Sequence, residues 1–159
     1  MKTGTKRVAA FCFLKNKHQY LLLKRTKMPY KDVFAPVGGS VEPFETPEQA
    51  AIRETYEESG IQLKSIEFCG ILTETSPLDY NWVSFIYTAG IDHIEPPHCD
   101  EGVLMWINKT DAPELEVPPT DPAIYRYMSE GTFFILNAVY DQEMKLISMN
   151  EILSDVKII

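Results

Sequence analysis

Apolar residues cluster in the first part of the chain in two β-rich runs, RVAAFCFL (7–14) and HQYLLLKR (18–25), joined by the polar link KNK. That pattern predicts a hairpin. A further apolar run, VFAPV (33–37), meets Gly38 and Gly39, residues that let the backbone turn at positive φ or approach another group closely. The periodicity then becomes helical. Thr46 suits an N-cap, Pro47 a first helical position, Gln49 completes a capping box and Gly60 marks an end. Beyond this helix, LKSIEFCGILTET (63–75), NWVSFIYTAGI (81–91) and VLMWI (103–107) are rich in β-branched or aromatic residues and read as strands. TDPAIYRYMSEG predicts a second helix, with Thr120 or Asp121 capping, Pro122 entering and Gly131 ending it. TFFILNAVYDQEMKLISM reads as a last strand pair, and PPHCDEG and APELEVPPTDP as proline-rich loops.

The first helix carries an unusual charge pattern. At about 100° per residue, Arg53, Glu54, Glu57 and Glu58 share one arc, with Ile52, Thr55, Tyr56 and Ser59 opposite. Carboxylates three or four residues apart on a helix repel, at about 0.2–0.5 kcal/mol per pair. One arginine cannot neutralise three of them, whereas a divalent cation can. Hard cations such as Mg²⁺ take oxygen ligands from one or two carboxylates together with substrate phosphates. The plain alternative is a solvated charged face.

Composition narrows the function classes. The 159 residues, 45% hydrophobic and 24% charged, suit a single domain over 1–159. A net charge of −8 and a pI near 4.9 argue against gripping a long nucleic acid, which needs clustered Lys and Arg. Cys12, Cys69 and Cys99 are widely spaced without a C-x-x-C pair, so reduced thiols and a cytoplasmic location are expected. The apolar stretch Val8–Leu14 is short and followed by Lys15, and no run is long enough to cross a membrane.

Gly39, Glu45, the pair Arg53-Glu54, the pair Glu57-Glu58, Gly60 and Ile61 stand at the spacing of the Nudix box, and this stretch closely resembles that box in the Nudix hydrolases. Two positions depart from the usual pattern: Thr55 replaces an aliphatic residue, and Phe44 replaces the glycine that commonly precedes the first glutamate. The resemblance implies an α/β/α sandwich with a central mixed sheet, the box forming a loop-helix-loop against it. It also implies Mg²⁺, with Mn²⁺ as a substitute, held by Glu57, Glu58 and the Gly38 carbonyl. Glu54 would be a ligand or the general base, Arg53 would orient a glutamate, and Gly39, Glu45 and Gly60 would support the box. Family members often carry a further acid on a distant loop, for which CDEGVLMWI offers Asp100 and, preferentially, Glu101.

The implied substrate is a nucleoside diphosphate linked to a group X, which the box does not identify. MutT-like enzymes that clean oxidised purine nucleoside triphosphates often have Trp-Asn-Gly where this chain has Phe34-Ala35-Pro36, so the amide that could pair with a base is missing. Phe34 remains a stacking candidate. VPPTDPAIYRYM resembles the position of a Trp-Pro-Asp-Asp base reader in such enzymes, with Asp121 retained, although capping preference assigns Asp121 first to the helix start. Tyr80, Trp82, Phe133, Phe134 and Tyr140 are the other aromatic candidates. Hydrolysis of a nucleoside triphosphate, oxidised or not, to monophosphate and pyrophosphate is the leading expectation. Cleavage of ADP-ribose or a nucleotide sugar comes next, then ligand sensing without turnover. A small-molecule nucleotide is the expected partner, and a homodimer is common in the family.

Overall fold

The structure, a computed structural model, describes residues 4–28 and 30–159. Strands β1 (Arg7–Asn16) and β2 (Gln19–Arg25) form the expected hairpin, with Leu14 opposite Leu21 and Lys17 turning at φ 47°. The apolar run 33–37 is two short strands rather than one. β3 (Phe34–Ala35) pairs with β2, and β4 (Val37–Ser40) crosses to pair with β1. The break falls at Pro36, which has no N–H to give to a ladder.

Helix α1 (Pro47–Ser59) has its full capping box: Gln49 N donates to the Thr46 hydroxyl at 3.2 Å, and Thr46 N donates to the Gln49 side chain at 2.8 Å. Its buried side is made of Ala50, Ala51, Thr55 and Ser59. Tyr56 is exposed although it lies on the arc opposite the acids, because that side is narrow and centred on the small residues. Thr55 Oγ1 donates to the Ala51 carbonyl at 2.7 Å, so the hydroxyl at a usually aliphatic position is satisfied within the helix. Phe44 is fully exposed.

β5 (Glu67–Thr75) begins later than the apolar pattern and is followed by β6 (Trp82–Gly90), β7 (His98–Cys99) and β8 (Gly102–Asn108). A 3₁₀ turn at Ala112–Glu114 leads to α2 (Asp121–Glu130), closed by Gly131 at φ 64°. The chain ends in β9 (Phe134–Tyr140), β10 (Leu146–Glu151) and β11 (Val156–Lys157). The sheet order is β11-β10-β9-β5-β6-β1-β2-β8-β7, with β3 and β4 attached to β2 and β1. β1 with β6 and β5 with β9 run parallel and the other pairs antiparallel, which makes the sheet mixed as expected.

Alternation along the strands divides the core in two. On one face Ala10, Cys12, Leu14, Leu21 and Leu23 pack with Ala50 and Ala51 of α1. On the other, Phe13, Leu22, Leu72 and Leu136 pack with Ile124 and Tyr127 of α2. The result is the α/β/α sandwich. All three cysteines are free thiols. Among the described residues, no helix is long and apolar enough to cross a membrane.

Candidate active site

The acidic arc of α1 lies beside β4, and Arg53 sits at its centre. All five guanidinium N–H groups are used. Nε and Nη2 donate to the two Glu45 oxygens at 3.0 and 2.6 Å, Nη1 to Glu54 at 2.8 Å and Glu57 at 3.1 Å, and Nη2 also to the Ser40 carbonyl at 3.1 Å. Arg53 thereby ties the loop before the helix and the end of β4 to two of the helix acids. The Arg53 fork, together with the Glu42 backbone N–H, holds the Glu45 carboxyl down to about 2. Glu58 has a different partner: its Oε2 accepts from Gly38 N at 2.9 Å. Burial pushes this carboxyl up to about 7, against the Gly38 N–H, while the charges of Glu54 and Glu101 raise it further and Arg25 opposes them.

Glycine is required where the strand meets the helix. Gly38 has φ 151°, and a Cβ there would stand 2.3 Å from the Ala10 carbonyl oxygen. A Cβ on Gly39 would lie 2.7 Å from the Glu54 carboxylate carbon, so that carboxylate occupies the space a side chain would take. Gly60 ends α1 at φ 70°, its N–H donating to the Tyr56 carbonyl. Glu101 stands in the turn between β7 and β8, 3.5 Å from the Arg25 guanidinium. Its charge reaches Glu58.

The donor set suits a hard divalent cation: three carboxylates on one helical face, beside the backbone of a glycine strand. Among the described residues no three acids converge on one point. Glu54 and Glu57 lean on Arg53 and Glu58 on Gly38, but Glu57, with 55% of its side chain exposed, is free to swing.

Gly38, Gly39 and Ser40 also wall a cavity of about 680 Å³, a size in the range of small-molecule sites. Phe11, Phe13, Leu72 and Ile86 give it an apolar floor, and Tyr80, Trp82 and Tyr140 border it. Of the aromatic candidates, Phe34 is buried in the core and Phe134 fully enclosed there, neither lining the cavity, while Phe133 is exposed elsewhere. Ala35 and Pro36 reach the cavity in place of Phe34. Asp121 does not cap α2. Thr120 holds the cap position, and Asp121 is the first helical residue, 6% exposed, with Oδ2 lacking any partner. Asp121 lines the cavity, as does Glu74 of β5, which motif reading passed over. The signal for Glu74 was strand alternation, which sets it on the same face as Leu72.

Residues 5–128 match the NUDIX domain. The chain is 28% identical over 144 residues to the uncharacterized Nudix hydrolase YvcI of Bacillus subtilis strain 168, covering 86% of this chain and 89% of that one. It is 32% identical over 83 residues to the diphosphoinositol polyphosphate phosphohydrolase 3-alpha of Mus musculus, covering 52% of this chain and 50% of that one, so it spans about half the length of this relative. A crystal structure of a MutT protein from Bacillus halodurans superposes with a TM-score of 0.80 at 24% identity, covering 91% of this chain and 97% of that one, a likeness of fold. With the box intact and the domain matched over most of its length, the chain belongs to the Nudix hydrolase family.

Proposed function

We propose that this chain is a divalent-cation-dependent hydrolase of a nucleoside diphosphate linked to X, acting on a nucleoside triphosphate to release monophosphate and pyrophosphate. The observation that carries the reading is the shared wall: the strand Gly38–Ser40 holds the box acids on one side and closes a nucleotide-sized cavity on the other. In this reading a substrate with its base in the cavity would extend its phosphates past this strand to the acids.

In this reading Glu54, Glu57, Glu58 and the Gly38 carbonyl hold Mg²⁺, for which Mn²⁺ substitutes. The bound ion would neutralise charge on the phosphoryl oxygens and lower the pKa of water. Arg53 keeps Glu54 in place through its saturated fork and gives the exposed Glu57 a partner from which it can swing. Glu54, packed against Gly39, and Glu101, across the site near Glu58, are the two candidates for the general base.

The test is chromatographic product analysis with Mg²⁺ across normal and oxidised nucleoside triphosphates, ADP-ribose, nucleotide sugars and dinucleoside polyphosphates. Pyrophosphate with a monophosphate is expected from at least one triphosphate. AMP with ribose 5-phosphate, and no pyrophosphate from any triphosphate, would replace this reading with ADP-ribose cleavage. Glu57→Gln, on an exposed position, is expected to lower kcat by about 10²-fold or more with the thermal midpoint unchanged; wild-type turnover would remove Glu57 from the cation site.

A further inference from the structure

Lysines gather at the far end of β1. There a second depression, of about 800 Å³, lies beside the ends of the parallel strands β1 and β6. Lys15, Lys17, Lys64 and Lys109 line it, four of the chain's fifteen basic residues, and Asp92 is the one acid among the lining residues. On a chain of net charge −8, such a cluster of like charge calls for an opposite charge, as the acids of α1 do. The protein does not provide it. Lys17, Lys64 and Lys109 make no salt bridge among the described residues, and Lys15 meets the exposed Glu67 at 3.9 Å, a surface pair that contributes little. Lys109 Nζ sits over the Tyr20 ring at 5.1 Å, a contact that leaves its charge intact. Burial, with the charge of Lys15 adding, draws the Lys109 ammonium below its usual value.

The frame that carries these lysines is fixed by hydrogen bonds. Asn16 Nδ2 donates to the Ile91 carbonyl at 2.7 Å, Ile91 N to the Lys15 carbonyl at 2.9 Å, and Lys109 N to the His18 carbonyl at 2.8 Å. These bonds tie the turn between β1 and β2 to the segment after β6 and to the end of β8. Lys15, Lys17 and Lys109 therefore stand on one framework, and Lys64 joins from the segment that follows α1. The end of α1 brings about half a negative charge towards the same rim, which together with Asp92 is outweighed by four ammonium groups. The depression is also separate from the box. Phe11 stands opposite Gly38, and Lys15 lies about 13 Å further along β1 at about 3.3 Å per residue.

We propose that this depression is an anion site that binds an inorganic polyphosphate, pyrophosphate being the smallest, without a metal ion. An ammonium is a compact point charge that suits phosphoryl oxygens, and charge-assisted hydrogen bonds to such oxygens are the strong ones. Two linked phosphoryl groups reach several lysines at once, which a single small anion does not. The site stands apart from the reaction proposed for the box, although pyrophosphate is a product of that reaction.

The test uses binding rather than turnover. The full chain, stripped of divalent cations, is titrated calorimetrically at low ionic strength with sodium pyrophosphate and, separately, with sodium sulfate. Pyrophosphate is expected to bind about tenfold tighter than sulfate or better, because it engages more of the lysines. Lys17→Gln combined with Lys64→Gln, both at exposed positions, is expected to weaken pyrophosphate about tenfold or more, with folding checked by circular dichroism. Lys145→Gln combined with Lys157→Gln removes the same charge from exposed positions elsewhere, and is expected to change the affinity by less than about twofold. Equal affinity for the two anions, no binding of pyrophosphate to the folded protein, or an equal loss in the two lysine pairs would each overturn the proposal. If the first pair does not fold, Lys17→Gln and Lys64→Gln taken singly decide, each with a smaller loss expected. Failure of the hydrolase reading is separately visible, as no pyrophosphate released from any triphosphate under Mg²⁺ while added pyrophosphate still binds.

Discussion

A Cβ on Gly39 would press on the flexible end of Glu54, whereas a Cβ on Gly38 would press on the backbone of β1 at Ala10. The two adjacent glycines should therefore fail in different ways. Gly39→Ala is expected to keep the fold and displace the Glu54 carboxylate, lowering kcat by about 10- to 100-fold, as small misplacements of reacting groups do. Gly38→Ala is expected to cost about 1–3 kcal/mol from backbone strain, read as a lower denaturant midpoint. If both variants lost stability equally, Gly39 would be a backbone requirement and not a seat for Glu54. The box glycines were visible in the sequence as a spacing, but the division of labour between them was not, because it depends on which atoms stand opposite each Cα. Asp121 shows the same limit. Its position at a helix start suggested a cap, and only the packing of α2 against the cavity leaves its Oδ2 unpartnered.

Elements with local signals matched their expected places: the first hairpin, α1 with its capping box, α2 with its terminal glycine. Elements that depend on distant partners did not announce themselves. β7 is two residues long and exists through pairing with β8, and β11 exists through pairing with β10. The turn after β10 is organised by Glu151, 2% exposed, whose carboxylate accepts from Ile135 N and Leu153 N at 3.1 Å each and from Ser154 N at 2.8 Å. Burial alone would raise this carboxyl, but the Ser154 donors, with Ile135 and Leu153, outweigh it and hold it near 2 against an ordinary 4.5. A depressed acid contributes stability above its unfolded pKa and loses it as pH falls towards the folded one. Glu151→Gln is accordingly expected to cost about 1–3 kcal/mol at neutral pH, with the difference from wild type shrinking between about pH 4.5 and pH 2. Thermal melts across that window would show it, and a pH-independent difference would assign the cost to packing.

At the scale of the molecule, the acidic site is held together by protein groups alone: Arg53 for Glu45 before α1 and for Glu54 and Glu57 on it, and Gly38 N for Glu58. Stripping divalent cations is therefore expected to abolish turnover and leave the circular-dichroism spectrum native. Restoring Mg²⁺ to a hundredfold excess over its Kd should add about 2.7 kcal/mol of stability. Unfolding on chelation would mean that the cation is structural. The strand order itself could not be read from periodicity, since alternation fixes which residues share a face but not which strands are neighbours. The family resemblance implied the layers and a mixed sheet, and the order of the strands is a finding of the structure. One strand also constrains how the chain can vary in length. Ala9, Phe11 and Phe13 of β1 line the cavity while Ala10, Cys12 and Leu14 pack under α1. A single inserted or deleted residue within β1 would exchange the two sets, sending the floor of the cavity to the helix and the helix seat to the substrate. A change of chain length is therefore expected to be tolerated in the loops and not within β1, which accepts change only by substitution.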